Sequence, residues 1–182
     1  AAPLGLGRLT AFQTEMIAMA ILRENAEAAV QLAKYRTSDL SYALPGKCRF
    51  RVNIFQQRNS SSIVMRVIPP DIPTFESLNV PPQLAEICNI RNGVVLLTGP
   101  TGSGKSSTLA AIIDRINEQK SYHIVTIEDP IEFLHNHKKS TINQREVGAD
   151  TKDFASALRA ALRQAPKVIL VGEMRDLETA EI

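Results

Sequence analysis

The clearest chemical motif in the sequence is a glycine-rich stretch at residues 99–106, which reads Gly-Pro-Thr-Gly-Ser-Gly-Lys-Ser and fits the pattern G-x-x-x-x-G-K-[ST]. Glycines let a backbone fold around phosphate groups and turn several N–H donors inward, and the following helix N-terminus adds a partial positive charge. Lys105 supplies a full charge to the β and γ phosphates, and the Ser106 hydroxyl is a ligand for Mg²⁺. The motif therefore predicts ATP with Mg²⁺, bound by Gly99, Pro100, Thr101, Gly102, Ser103, Gly104, Lys105, Ser106 and Ser107.

Two acidic segments could add hydrolysis to binding. Hydrolysis needs one carboxylate to activate water and another to hold Mg²⁺ or its water shell. Residues 127–132 read Ile-Glu-Asp-Pro-Ile-Glu and residues 168–173 read Val-Ile-Leu-Val-Gly-Glu, so each puts acids after an apolar run. At the carboxyl edge of a parallel sheet these acids would lie beside the P-loop. The alternative is that they are solvated loop acids.

The elements that must position these groups alternate between strand and helix. Apolar runs at residues 94–97, 124–127 and 168–171 predict strands. Helical spacing of apolar residues follows Lys105 and recurs between Asp153 and Gln164. This order is typical of an α/β domain with a parallel sheet covered by helices.

The N-terminal part has a different pattern. Residues 10–34 predict one helix that begins at a capping box formed by Thr10 and Gln13. Residues 49–54 and 63–68 predict a hairpin whose loop is centred near residues 58 and 59. Arg51 and Arg66 are almost equidistant from that centre, so we expect them to lie opposite one another. An anion between them would relieve the repulsion of like charges, and splayed or locally paired arginines are the alternative.

Prolines at positions 69, 70, 73, 81 and 82 exclude a continuing helix or central strand. We therefore predict an N-terminal domain at residues 1–69, a linker at residues 70–82 and a second domain at residues 83–182.

Composition limits the remaining classes of function. Twenty-one Lys and Arg against nineteen Asp and Glu leave a formal charge of +2, too small to make nucleic acid the default partner. Cys48 and Cys88 match no metal-ligand spacing, and the three histidines offer no complete ligand set. No apolar run approaches the length of a membrane span and no secretory leader is recognised, so we expect a cytoplasmic protein.

Several segments together resemble one family. Residues 99–106, 126–133, 143–147 and 171–176 are similar to the Walker A, Asp box and Walker B segments of the type II/type IV secretion ATPase superfamily, most closely its pilus-retraction members. Residues 49–53 and 66–69 resemble the end of that family's first domain. The resemblance covers roughly residues 42–182, and the combination is far more specific than the P-loop alone.

The resemblance implies roles for individual residues. Glu132 would be the catalytic glutamate, and Glu173 the Walker B acid near Mg²⁺, with Gly172 where an ordinary Walker B strand has Asp. Arg51 and Arg66 would be arginine fingers that reach a γ-phosphate at a subunit boundary. The expected catalytic residues are then Glu132, Lys105, Arg51 and Arg66, and the expected metal ligands are Ser106 and Glu173.

The fold that the resemblance implies is an N-terminal PAS-like α+β domain followed by a RecA-like P-loop NTPase domain, truncated here after Walker B. It implies a homo-hexamer with ATP between neighbouring domains, acting on an inner-membrane pilus platform protein from the cytoplasmic face of the inner membrane. The expected function is ATP-driven retraction of a type IV pilus, which powers twitching motility.

Three alternatives stay open from the sequence. The same fold could serve pilus assembly or type II secretion. A RecA-like nucleic-acid translocase is disfavoured by the small net charge and by the lack of a basic, aromatic-bearing stripe. A scaffold that binds ATP without turnover is the third alternative.

Overall fold

The computed structural model describes residue 5 and residues 7–23, 25–45, 47–69 and 71–182. The chain divides into two compact units, Ala1–Ile68 and Pro69–Ile182. None of the described helices combines the length and the apolar character that crossing a bilayer requires.

The first unit packs two helices against an antiparallel sheet with the order β1-β2-β3. Its elements are α1 (Ala11–Leu22), α2 (Ala26–Tyr35), β1 (Thr37–Leu44), β2 (Cys48–Gln57) and β3 (Ser60–Ile68). The core between helices and sheet contains Ala18 and Ile21 from α1 and the fully buried Val52 and Ile54 from β2. The alternation of apolar and polar residues in β2 thus gives the sheet one buried face.

The prediction of one helix over residues 10–34 is wrong in one respect. The predicted capping box at Thr10 is confirmed, because Thr10 and Gln13 cap each other reciprocally. The helix nevertheless ends at Leu22, and α2 begins after Asn25, whose side chain accepts a hydrogen bond from the amide of Ala28 at 2.9 Å. The Asn25 side chain caps the new helix by accepting from its backbone, and this arrangement is an alternative to continuing the first helix through residue 25.

The predicted hairpin is confirmed, including its centre. Arg58 and Asn59 form the turn with φ values of 47° and 59°, a conformation that suits a tight two-residue hairpin loop. Arg51 lies directly opposite Arg66 in the β2–β3 register. The strands extend further towards the turn than the sequence indicated, and β1 was not predicted.

The second unit is built around a parallel sheet with the order β5-β4-β6. Its elements are α3 (Leu84–Ile87), α4 (Lys105–Gln119), β4 (His123–Glu128), β5 (Thr141–Glu146), α5 (Phe154–Leu162), β6 (Val168–Val171) and α6 (Leu177–Glu181). The central strand β4 is buried on both faces. Ile124 packs with residues of α4, whereas Val125 and Ile127 pack with Ala157 and Ala161 of α5. The predicted parallel sheet with helices on its faces is confirmed.

Residues 94–97 are not a strand, so that part of the prediction is wrong. Val94 is 81% exposed and Leu96 is 67% exposed. A cavity of about 240 Å³ is lined by Val94, Val95, β6 and α4. Within the described ranges β6 pairs only with β4. The β propensity of this run is therefore not realised, because a strand needs a neighbour for its backbone hydrogen bonds.

Candidate nucleotide-binding site

The P-loop backbone adopts conformations that require glycine. Gly102 and Gly104 have φ values of 79° and 88°. Gly99 has a φ of 152°, and a Cβ atom added there would lie 2.8 Å from the hydroxyl oxygen of Ser103. The loop can therefore fold back on itself only with glycine at these positions, which leaves an open and exposed cradle of backbone groups.

Lys105 and the start of α4 complete this cradle. The Lys105 ammonium donates hydrogen bonds to the carbonyl oxygens of Gly99 and Pro100 at 2.9 and 2.8 Å, so it lies against the loop. No side chain caps the N-terminus of α4, whose first N–H groups belong to Lys105, Ser106 and Ser107. An uncapped helix N-terminus joined to a full positive charge is suited to bind phosphate. The residues present thus fit the nucleotide that the motif predicts.

The acids lie where parallel strands end at a common edge. Glu128 at the end of β4 is paired with Glu146 at the end of β5. On the other side of β4, the amide of Gly172 donates to the carbonyl of Ile127 at 2.8 Å. The sequence segments around Glu128 and Glu173 are therefore neighbours at the carboxyl edge of the sheet, which is the edge where α/β proteins bind ligands.

Packing explains why glycine follows β6. A Cβ atom at Gly172 would lie 3.2 Å from the carbonyl oxygen of Ile127 and 3.3 Å from the Cα of Glu128. Both contacts are with backbone, which cannot move aside as a flexible side chain would. Gly172 thus allows the ends of β4 and β6 to approach closely at the position where a Walker B strand ordinarily has Asp.

Replacing Gly172 with alanine is expected to lower the free energy of unfolding by about 1–2 kcal/mol, because overpacking outweighs the entropy that alanine removes from the unfolded chain. Gly7→Ala is the matched control, since nothing lies within 4 Å of a Cβ atom at that position. Urea unfolding followed by circular dichroism measures both variants. Equal midpoints for the two variants would show that the close approach at Gly172 carries no strain.

Glu128 is largely buried and hydrogen-bonded. Its carboxylate accepts from the Thr126 hydroxyl at 2.6 Å, from the Gln144 amide at 3.2 Å and from the backbone N–H of Glu132 at 3.4 Å. Burial raises the pKa of Glu128 above its ordinary value, and these hydrogen bonds oppose that rise. Glu128 is thus a structural acid that organises the start of the following loop.

The other predicted acids are more accessible. Glu132 is exposed, and its backbone is tied to Glu128. Glu173 pairs with Arg175 at 2.8 Å. Across residues 71–182, no hydrogen bond or ion pair joins the P-loop to Glu132 or to Glu173. Among the described residues, two acids of the 127–132 segment are joined by one hydrogen bond, from the backbone N–H of Glu132 to the carboxylate of Glu128.

Arg51 and Arg66 belong to the first unit, and both are exposed on the sheet face that carries neither Val52 nor Ile54. Neither guanidinium makes a hydrogen bond or an ion pair with any residue that the structure describes. Their position opposite each other therefore places two positive charges side by side with no ion pair to a described residue.

A metal at this site would depend on few protein ligands. In the part of the chain that the structure describes, no group of three or more His, Cys, Asp and Glu residues is placed to hold a metal ion. The predicted ligands, Ser106 and Glu173, are oxygen donors. They fit Mg²⁺, which keeps several waters and is typically bound through one or two protein oxygens together with substrate phosphates.

Sequence reasoning missed two residues of this region, Gln144 and Glu146. Gln144 contacts Glu128 and the backbone on both sides of Leu134, and the Glu146 carboxylate accepts from the amide of Ile131 at 3.0 Å. The sequence offered one indication of them. Gln144 and Glu146 are two positions apart within residues 143–147, a segment already noted for its resemblance to the family. Without β5, nothing indicated that both face the loop that carries Glu132.

Comparison with known proteins identifies the family. Residues 20–182 match the model of the family described as Type II/IV secretion system protein. The chain belongs to this family.

Curated relatives agree with this assignment. The chain is 51% identical over 149 residues to the type IV pilus retractation ATPase PilT of Pseudomonas aeruginosa, covering 82% of this chain and 43% of that protein. It is 55% identical over 141 residues to a twitching motility protein of Neisseria gonorrhoeae, covering 78% of this chain and 38% of that protein. The chain thus spans less than half the length of these relatives.

Solved structures show the same fold. A crystal structure of the pilus retraction motor PilT with bound ADP matches with a TM-score of 0.88 and 51% identity, covering 92% of this chain and 48% of that one. The ATPase DotB of Legionella pneumophila matches with a TM-score of 0.82 and 32% identity, covering 97% of this chain and 50% of that one. The mixed α/β fold described above is therefore that of secretion and pilus ATPases.

Proposed function

We propose that the protein hydrolyses ATP as a ring-forming motor that retracts a type IV pilus. The observation that carries this proposal is the P-loop, in which Lys105 lies against the loop carbonyls beside an uncapped helix N-terminus. The relatives named for pilus retraction and twitching motility, at 51% and 55% identity, support the choice of this motor over a general ATPase.

The proposed chemistry uses separate groups for binding and for catalysis. Lys105 and the first amides of α4 hold the β and γ phosphates, and Glu132 takes a proton from the attacking water. The Ser106 hydroxyl and the Glu173 carboxylate would hold Mg²⁺, which when bound would neutralise charge at the phosphates. Gly172 cannot provide a second metal-binding carboxylate, which is a reason to assign the base to Glu132.

We also propose that the chain consists of two domains joined by a linker. Residues 1–69 form a PAS-like domain, residues 70–82 a linker and residues 83–182 a RecA-like domain. Six copies form a ring at the cytoplasmic face of the inner membrane, where they act on the pilus platform protein.

Retraction and assembly can be separated by one experiment. Deleting the gene is expected to leave surface pili in place while abolishing their retraction, measured by fluorescence imaging of labelled pili and by twitching zones. Complementation with the unmutated gene should restore retraction, and complementation with the Lys105→Ala gene should not. Loss of the pili themselves after deletion would favour the assembly function.

The paired arginines support a composite site. Like charges directly opposed on a sheet are destabilising, and among the described residues neither Arg51 nor Arg66 forms an ion pair that would offset this repulsion. A phosphate contributed from a neighbouring subunit would provide the missing anion. We therefore assign Arg51 and Arg66 as arginine fingers that stabilise the transition-state charge.

Arg51→Ala or Arg66→Ala in the complete gene product is expected to leave ATP binding nearly intact and to reduce hydrolysis by about 10- to 1000-fold, because arginine fingers act mainly on the transition state. Phosphate release and titration with a fluorescent ATP analogue measure the two quantities. Arg58→Asn is the control, since it removes a charge from the same hairpin while asparagine tolerates the turn conformation. Unchanged hydrolysis in both single variants would refute the finger assignment.

A further inference from the structure

Gln144 is placed to hold the loop that carries Glu132. Its amide nitrogen donates to the carbonyl oxygen of Phe133 at 2.8 Å and to the Glu128 carboxylate at 3.2 Å. Its amide oxygen accepts from the backbone N–H of His135 at 2.8 Å. One half-buried side chain of β5 thus contacts the end of β4 and two backbone groups of the loop between the strands.

A second side chain of β5 holds the loop on the other side of Glu132. The Glu146 carboxylate, which is 4% exposed, accepts from the backbone N–H of Ile131 at 3.0 Å. Residues two apart on a strand share a face, so Gln144 and Glu146 act from the same side of β5. The residues immediately before and after Glu132 are therefore both anchored, while the Glu132 side chain itself is exposed.

The far end of the loop is fixed to the P-loop helix. Asn117 of α4 is fully buried, and its side chain donates to the carbonyl of Asn136 at 2.8 Å and accepts from the amide of Lys138 at 3.1 Å. Since α4 begins at Lys105, the loop is attached to the same helix that starts at the phosphate cradle. The backbone around Glu132 is held nearer by the contacts at Ile131, Phe133 and His135 and by the hydrogen bond from the N–H of Glu132 to Glu128.

We propose that Gln144 is a positioning residue for ATP hydrolysis, which orients Glu132 by fixing the backbone on its C-terminal side. The proposal rests on the proposed function, because it takes Glu132 as the base. Gln144 acts through Glu132 and touches no substrate atom. A base displaced by about 1 Å loses on the order of a hundredfold in rate, so a small shift of this backbone has a large kinetic effect.

The test uses an isosteric change with a matched control in the complete gene product. Gln144→Met keeps the volume of the side chain and removes its hydrogen bonds. Asn143→Leu makes the same kind of change at the adjacent, exposed position, where the side chain contacts His123 rather than the loop. Gln144→Met is expected to lower kcat about 10- to 100-fold while the Kd for a fluorescent ATP analogue changes less than about twofold, and Asn143→Leu is expected to change neither.

A double-mutant cycle separates positioning from general stabilisation. If Gln144 acts through Glu132, Gln144→Met causes little further loss of kcat in a Glu132→Gln background. If Gln144 only stabilised the fold, Gln144→Met and Glu132→Gln would each lower kcat independently, and the two factors would multiply in the double variant. Multiplying losses, or unmutated kcat in Gln144→Met, would overturn the proposal.

Hydrogen exchange provides a readout that does not depend on turnover. In the unmutated protein the amides of Ile131 and His135 are expected to exchange slowly, and Gln144→Met is expected to accelerate His135 while leaving Ile131 protected by Glu146. If Gln144→Met does not fold, Gln144→Asn, which keeps the amide but shortens the side chain, takes its place with a smaller loss of kcat. Equal exchange at His135 in variant and unmutated protein would refute the positioning role.

Failure of this proposal is distinguishable from failure of the proposed function. Absence of ATP hydrolysis by the unmutated protein, or full hydrolysis by Glu132→Gln, would reject the proposed function or its base. Normal hydrolysis that is abolished by Glu132→Gln but unchanged by Gln144→Met would reject the positioning role alone.

Discussion

Replacing Glu132 with glutamine in the complete gene product is expected to preserve ATP binding and to reduce hydrolysis at least about a hundredfold, the usual scale of general-base catalysis. Glutamine has nearly the same shape, so the anchored loop around position 132 should keep its structure. It cannot accept the proton from the attacking water. Steady-state phosphate release, together with titration of a fluorescent ATP analogue, measures the loss of kcat and the unchanged affinity.

The control for this variant is Glu86→Gln, which removes an exposed carboxylate from α3. Normal phosphate release by Glu132→Gln would move the base to Glu128 or Glu173. Of these two, Glu173 is half-buried, whereas Glu128 is enclosed by Thr126 and Gln144 and its pKa is raised by burial. The two remaining candidates are then separable by the corresponding single glutamine variants.

The second large effect is expected at Lys105. Lys105→Ala should abolish tight ATP binding, because the remaining backbone donors cannot replace a full charge at the β and γ phosphates. The hydrogen bonds from the ammonium to Gly99 and Pro100 show that this charge is held over the loop. Isothermal titration calorimetry with ATP and Mg²⁺ measures the loss.

Lys139→Ala serves as the control for Lys105→Ala, since it removes the charge of an exposed lysine from the same unit. Micromolar ATP affinity retained by Lys105→Ala would contradict the assignment of the P-loop. Unfolding midpoints of both variants show whether a loss of affinity reflects a loss of structure.

Local patterns predicted much of the fold. The P-loop glycines and the helix that starts at Lys105 follow from a contiguous motif, and the structure shows the positive φ angles that the motif requires. The hairpin and the opposition of Arg51 and Arg66 followed from the distance of each arginine from the turn. Both inferences needed only residues that are near in sequence.

Two kinds of feature were not predictable: a helix end where a cap competes with continuation of the helix, and a strand that depends on pairing with a segment distant in sequence. The cap at Asn25 divides a sequence whose composition favours one helix. The apolar run at residues 94–97 has the propensity of a strand, but in the described structure no neighbouring strand pairs with it. Strand β5 contains Asn, Gln, Arg and Glu, and it becomes a strand because β4 pairs with it.

In the candidate site too, some residues were predicted from local patterns, and others, which depend on distant contacts, were not. The sequence indicated the phosphate-binding residues and the acidic segments around Glu132 and Glu173. It did not indicate that Gln144 and Glu146 hold the intervening loop, because these contacts join residues 9 to 16 positions apart through strand pairing. Nor did it show why Gly172 is present, which depends on the close approach of β4.

The claim that neighbouring subunits complete one ATPase site is tested most directly by mixing two inactive variants of the complete gene product. Rings that contain both Arg51→Ala and Glu132→Gln subunits include some sites with an intact base from one subunit and an intact arginine from the next. Phosphate release by such rings, with mixed composition verified by native mass spectrometry, is predicted to exceed that of either variant alone. Phosphate release no higher than that of the separate variants would contradict a site shared between subunits.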